Sequence, residues 1–203
     1  MYGQDQQGTA RAIAERVKSV ASSDTCIIAT SWKFQDALSV SPYAYAKHAP
    51  IFLYESGSNA LSSATLAAIK AGGYKRAIVV GGPIAVSADV DDQLKSIGVS
   101  AERKYGQTEY ETSLSIAEWE LAQGMKVEKM AVATGVTYYD ALAGAALCGR
   151  DNSVLVIVSD YNRTCLTDFV AKHRGEVSTG RVFGGEIAVS ASTWNALLRS
   201  YFG

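Results

Sequence analysis

Apolar residues along the chain fall into two alternating kinds of segment. Short runs are apolar at every position: Cys26-Ile27-Ile28-Ala29, Ile51-Phe52-Leu53-Tyr54 and Ala77-Ile78-Val79-Val80. The same succession returns as Met130-Ala131-Val132-Ala133, Val154-Leu155-Val156-Ile157-Val158 and, shorter and led by an arginine, Arg181-Val182-Phe183. A run without polar alternation reads as a strand covered on both faces, as in a parallel sheet between helix layers. Between the runs, apolar positions recur at helical spacing, as in Ile13, Ala14 and Val17, or Leu114, Ala117 and Leu121. Further helices are predicted from Asp36 and Asp140, over roughly residues 62–71 and 164–173, and after each Gly-Gly pair. Strands alternating with helices make right-handed βαβ units. The predicted fold class is α/β, as two homologous layer units, each a small, mainly parallel sheet with flanking helices.

The two halves are copies of one another. Residues 79–87 read VVGGPIAVS and residues 182–190 read VFGGEIAVS, 103 residues apart. Tyr2-Gly3-Gln4 matches Tyr105-Gly106-Gln107, Thr9 matches Thr112, and Asp36-Ala37-Leu38 matches Asp140-Ala141-Leu142. Ordered identities of this kind mark a duplication, with copies expected over 1–102 and 103–203. Pro42 conflicts with an uninterrupted second helix, so Ser41-Pro42 is expected to serve as an N-cap and first helical residue, or to mark a kink.

Composition removes several function classes. With 48% hydrophobic and 19% charged residues the chain is of globular type, and its net charge of −1 supplies no field for nucleic acid or a membrane surface. No apolar run is long enough to span a bilayer. No signal peptide is visible, and an export signal is expected outside these residues. Cys26, Cys148 and Cys165 fit neither a disulfide framework nor a zinc site. The phrase Asp89-Val90-Asp91-Asp92 suggests a metal, yet its counterparts are Ser192, Trp194 and Asn195, so helix-dipole complementation is the simpler reading.

The candidate chemistry lies in the repeated loops. Gly81-Gly82 and Gly184-Gly185 follow strands and suit either a tight turn or the close approach of a ligand to backbone. Ser87 is expected to cap the helix that follows. Asp36 and Asp140 are candidate ligand groups, with helix N-capping as the commoner role. Trp32, Lys33 and Phe34 precede Asp36, and Tyr138 and Tyr139 precede Asp140. These aromatic rings can stack on sugars or pack against the other repeat. His48 and His173 form no repeated constellation with a nucleophile, and no nucleotide or hydrolase motif is present. A binding or scaffolding module without a cofactor is expected rather than an enzyme.

The order Gly-x-x-x-x-x-Thr, Asp-Ala-Leu, Ala-Pro-Ile-x-Leu (Ala49 to Leu53) and Val-Val-Gly-Gly-x-x-Ala-Val-Ser resembles the cell-wall-binding repeat 2 family, over essentially the whole chain. The resemblance implies a Toprim-like or Rossmann-like fold per repeat. It also implies non-covalent anchoring of a secreted Gram-positive surface or S-layer protein to an anionic secondary cell-wall polymer of teichoic-acid type. Repeats of this kind come in threes, which makes dimers or trimers an expectation for two copies. The family's Gly-x-Asp-Arg-Tyr-x-Thr start is altered here, with Glu109 where the arginine belongs. Cations for the polymer would come from Lys33, Lys75, Arg76, Arg103, Lys104, Arg150, Arg163, Arg174 and Arg181. A packing module without polymer binding, or an α/β hydrolase, are the alternatives.

Overall fold

The six-residue stretches Thr25–Thr30 and Ser153–Val158 are buried at every position, as their unbroken apolar runs require. In the computed structural model, which describes residues 1–203, each becomes part of a separate parallel sheet. The first copy runs α1 (Gln6–Val20), β1 (Thr25–Thr30), α2 (Gln35–Ala46), β2 (Ile51–Tyr54), α3 (Ser63–Gly72), β3 (Arg76–Val80), α4 (Asp89–Ser96) and β4 (Ser100–Lys104). The second runs α5 (Glu109–Ala122), β5 (Lys126–Thr134), α6 (Tyr139–Arg150), β6 (Ser153–Val158), α7 (Thr164–Lys172), β7 (Arg181–Phe183) and α8 (Ala191–Phe202).

The sheets have the orders β2-β1-β3-β4 and β6-β5-β7. Ile27 pairs with both Ile51 and Ile78, and Ala131 pairs with both Leu155 and Arg181. The two-unit α/β fold is therefore as the apolar runs foretold. One strand was not foretold. Ser-Ala-Glu-Arg-Lys carries no apolar run, yet it forms β4, parallel to β3 on the sheet edge. It spans residues 102 and 103, so the connection between the copies is itself part of the first sheet.

Alternate residues of β1 serve different cores. Cys26 and Ile28 join a 14-residue cluster inside the first copy with Phe52, Val79 and Leu94. Ile27 and Ala29 join a 23-residue cluster that also contains Tyr43, Ile116, Trp119, Val132 and Val156, drawn from both copies. Helices α5 and α6 both pack on α2: α5 adds Ile116, Ala117 and Trp119 to this shared core, and Ala141, Ala145 and Cys148 of α6 form a smaller cluster with Leu38 and Leu155. Cys26 behaves as a small buried hydrophobe, its thiol pushed up to about 12 by burial.

Helix α2 contradicts the expected break. It starts at Gln35 and continues through Pro42, and the Ser41 hydroxyl donates to Ala37 O at 2.6 Å instead of capping. Tertiary packing decides the matter. A Cβ at Gly149 of α6 would stand 2.6 Å from Tyr45 Cβ and 2.9 Å from Pro42 O, so the two helices lie nearly backbone to backbone. That contact, with Leu38, Val40 and Tyr43 buried, outweighs the hydrogen bond that proline removes.

Duplicated residues have unequal surroundings. Leu38 is 6% exposed, seated among Ala141, Ala145 and Leu155 of the second copy, whereas its counterpart Leu142 is 60% exposed. Leu38→Ala should lower unfolding free energy by about 2–4 kcal/mol, and Leu142→Ala by less than about 0.5 kcal/mol. Urea titration of both variants checks this difference.

Candidate functional site

The two repeated phrases meet in space. Gly81, just past β3, has φ +110°, and a Cβ there would stand 2.8 Å from Asp36 Oδ2 and 3.0 Å from Ala85 Cβ. Gly184 has φ +104°, and its added Cβ would stand 2.6 Å from Asp140 Oδ2 and 2.7 Å from Ala188 Cβ. Backbone conformation and lack of space both demand glycine. Asp36 and Asp140 do not cap their helices. The cap positions belong to Phe34 and Tyr138, whose side chains make no cap bond, and each carboxylate lies in the first helical turn against the glycine turn. Ser190 does cap α8, accepting from Thr193 N–H at 3.2 Å. Ser87 lies one residue further out from α4, whose cap position is Ala88, and accepts from Asp89 N–H at 3.3 Å.

In the first sheet the chain turns one way from β1 to β2 and the other way to β3. The carboxyl ends of β1 and β3 form the crevice where open α/β sheets take ligands. A cleft of about 660 Å³ occupies that place. Its floor is Thr30, Asp36 and Gly82, and one wall is Trp32, Lys33 and Ile84. The opposite wall comes from the β4–α5 connection, with Tyr105, Thr108 and Glu109. Gly106 N–H donates to the Thr112 hydroxyl at 3.0 Å, as Gly3 does to Thr9 at 3.0 Å, so the repeated Gly…Thr phrase shapes this turn. The Tyr105 ring lies on Gly82, where a Cβ would stand 3.1 Å away.

The cleft's rim is apolar and exposed. Trp32 is 72% exposed, with Lys33 Nζ 5.6 Å from its ring centre. Ile84 is fully exposed, and so is its counterpart Ile187. Sequence reading passed over both isoleucines, although the same large apolar residue in both copies of a glycine turn was a usable signal. Phe34 instead packs across the copies, 5.7 Å from Tyr138 in an edge-on arrangement. Gln35 Nε2 donates to Gly135 O at 3.1 Å beside it. Tyr138, Tyr139, Asp140, Gly184 and Gly185 are not brought to the cleft. They lie on the second sheet's own carboxyl-end face, where Gly185 has nothing near it, in contrast to Gly82 under Tyr105.

Charge in the cleft is mixed, with Lys33 facing Asp36 and Glu109. Burial raises the Asp36 carboxyl to about 6, Glu109's negative charge adds to the rise, and Lys33 opposes it. Several other basic candidates are engaged inside the protein. Arg103 is 11% exposed at its side chain and pairs with Asp91 at 2.8 Å, which also accounts for one acid of the Asp89–Asp92 cluster. Arg181 pairs with Asp151 at 2.5 Å, and Arg76 Nε donates to the Thr25 hydroxyl at 3.3 Å. Lys33 and Lys75 are exposed.

An acid whose folded value lies above its unfolded one binds more protons when folded. Stability from Asp36 is then highest below the unfolded value near 3.8, falls as pH rises toward about 6, and stays low above it. Asp36→Asn should flatten this fall and raise stability at pH 7 by roughly 1–3 kcal/mol. Urea midpoints at pH 4, 5, 6 and 7 for both proteins test it.

Fold and cleft together define a tandem α/β binding module. Residues 1–91 and 103–193 match the family Cell wall binding domain 2 (CWB2), and the chain belongs to that family. It is a cell wall binding module. Over 195 residues it is 32% identical to N-acetylmuramoyl-L-alanine amidase LytC of Bacillus subtilis (strain 168), a match covering 96% of this chain and 38% of LytC. Over 185 residues it is 28% identical to the amidase enhancer of the same organism, covering 91% of this chain and 24% of that protein. In structure it is similar to Cwp6 from Clostridium difficile, with a TM-score of 0.85 and 23% identity over 97% of this chain and 30% of Cwp6. Cwp8 from Clostridium difficile gives 0.81 and 21%, over 98% of this chain and 33% of Cwp8. These two likenesses concern the fold, and the chain spans well under half of every relative named. No helix is long and apolar enough to cross a membrane.

Proposed function

We propose that these residues attach a larger surface protein non-covalently to an anionic cell-wall glycopolymer, held in the cleft between the copies. The observation that carries this reading is the exposed Trp32, Ile84 and Tyr105 around a switch-point crevice that needs both copies to form its walls. Flat and branched apolar groups of this kind suit the apolar faces of sugar rings. Lys33 meets an anionic group of the polymer. One lysine beside two carboxyls makes no polycationic groove, so sugar contact rather than charge density supports the affinity. Successive polymer units engaging successive modules raise it further. The attachment is non-catalytic, and the activity in LytC's name belongs to a protein of which this chain spans 38%.

A second reading, self-association, is favoured by one observation. The second copy exposes Tyr139 and Leu142, the counterparts of Gln35 and Leu38, which in the first copy pack against the second. Burial of that pair would produce dimers or trimers.

Co-sedimentation with purified Gram-positive walls, before and after acid extraction of their anionic polymers, tests the first reading. Wild type should pellet with intact walls and stay in solution with extracted ones. Trp32→Ala and Ile84→Ala should each weaken binding about tenfold, with the fold intact by circular dichroism. A folded wild-type chain that ignores every wall would sink polymer attachment and leave the packing reading, which sedimentation equilibrium decides.

A further inference from the structure

A net charge of −1 conceals a separation of charge along the strands. Helices α2 and α6 run side by side in the same direction. Gln35 Nε2 reaches Gly135 O at their amino ends, and Tyr45 lies against Gly149 near their carboxyl ends. A crossover helix returns the chain to the start of the next parallel strand, so it runs against its strands. The strands of both sheets therefore start on one side of the molecule. The cleft opens on the other side, where the strands end, and exposed acids gather there: Glu55, Asp89, Asp160 and Glu186.

The side where the strands start is basic. In the first copy Lys18 and Lys70 lie in the last turns of α1 and α3, and Lys75 precedes β3. Lys18 Nζ donates to Ala71 O at 2.9 Å, which holds it beside Lys70. In the second copy Lys126 and Lys129 lie early in β5, and Arg174 follows α7, its Nη2 donating to Ser200 O at 2.7 Å. All six are exposed and none is paired with a carboxylate. Acids are fewer here, and Asp151, Glu176 and Glu118 are already engaged by Arg181, His173 and Lys172. The helix macrodipole favours a cation at each helix end, but it gives no reason for Lys75, Lys126 or Lys129 at strand starts. Between Lys18 and His48 this side also has a hollow of about 180 Å³, with Ser22 and Ser23 among its walls.

We propose that this basic side is a second binding surface, separate from the cleft, for a linear wall polymer with phosphodiester links. Successive phosphates lie across both copies, one of them in the hollow beside Lys18, and accept charge-assisted hydrogen bonds from the ammonium and guanidinium groups. A flexible chain can follow a hollow that a flat lipid surface would bridge. Binding of this kind draws on release of the polymer's counterions, so it weakens steeply with salt. The two surfaces divide the chemistry: aromatic and branched apolar groups at the cleft, cations at the opposite end of the strands. Engagement of both by one polymer raises the affinity of each.

Titration of the full chain with linear inorganic polyphosphate, which offers phosphates but no sugar to the cleft, tests the surface by itself. The wild-type chain should bind, and affinity should fall at least about tenfold between roughly 50 and 200 mM salt. Lys70→Gln with Lys75→Gln should weaken binding about tenfold, and adding Lys126→Gln with Lys129→Gln should weaken it about tenfold more. Lys104→Gln with Arg163→Gln removes the same charge at the other end of the strands and should change affinity less than about twofold. Circular dichroism checks that each variant is folded. Equal losses in the two double variants would overturn the proposal, because net charge alone would then account for binding. A folded wild-type chain that ignores polyphosphate would overturn it as well. If such a chain still pellets with walls, the cleft reading stands without this surface, and if it binds only phosphatidylglycerol vesicles, the surface belongs to lipid.

Discussion

Tyr43 of α2 and Trp119 of α5 lie with ring centres 4.5 Å apart and planes inclined at 55°, in the core that both copies share. Around this pair are Ile27, Ile78 and Val80 from one sheet and Val132, Val156 and Val158 from the other. Each such side chain contributes roughly 1.5–3 kcal/mol on full burial, so the shared core holds the second copy in place and, through it, the far wall of the cleft. One group opposes the arrangement. Glu120 is wholly buried on α5, and neither carboxylate oxygen has a hydrogen-bond partner. Burial drives its carboxyl well above the ordinary carboxylate range. The seam is strong enough to tolerate that.

Because the core is shared, duplication of sequence does not produce duplication of environment. The Asp-Gly contact appears twice, at Asp36 with Gly81 and at Asp140 with Gly184, and it belongs to the unit. The Tyr105 wall, the burial of Leu38 and the Arg103 clasp appear once, because each is made with the following copy or by the strand that leads to it. The repeated residues therefore divide by physical role. Some shape each unit, and others acquire their meaning from a neighbour.

The parallel strands were legible because their runs have no polar alternation, and the duplication was legible from its ordered identities. Strand β4 was not, since an edge strand such as Ser-Ala-Glu-Arg-Lys needs no apolar run when one side faces solvent and an arginine turns inward. The course of α2 through Pro42 depended on Gly149, more than a hundred residues away and invisible to local propensity. In the loops, Trp32 and Lys33 were singled out on residue type, and both line the cleft. The capping role assigned to Asp36 was the commoner one for its position, but the partner that displaced it, Gly81, is contributed by another strand. Ile84 was not legible, because glycines that suit either a tight turn or a ligand's approach, with a serine expected to cap the next helix, account for the rest of its phrase. A turn explains the glycines but gives no reason for a fully exposed isoleucine.

The connection between the copies has no slack. Residues 100–104 are paired into the first sheet, Tyr105 rests on Gly82, and Thr108 already caps α5 in reciprocal bonding with Glu111. A bead-and-string picture of repeats joined by tolerant spacers does not suit such a seam. Inserting even two or three residues would have to break strand, wall or cap. Gene rearrangements are therefore free to add or delete whole periods but not to drift in length at the join, and an array built this way has a quantised contour and no internal hinge at this joint.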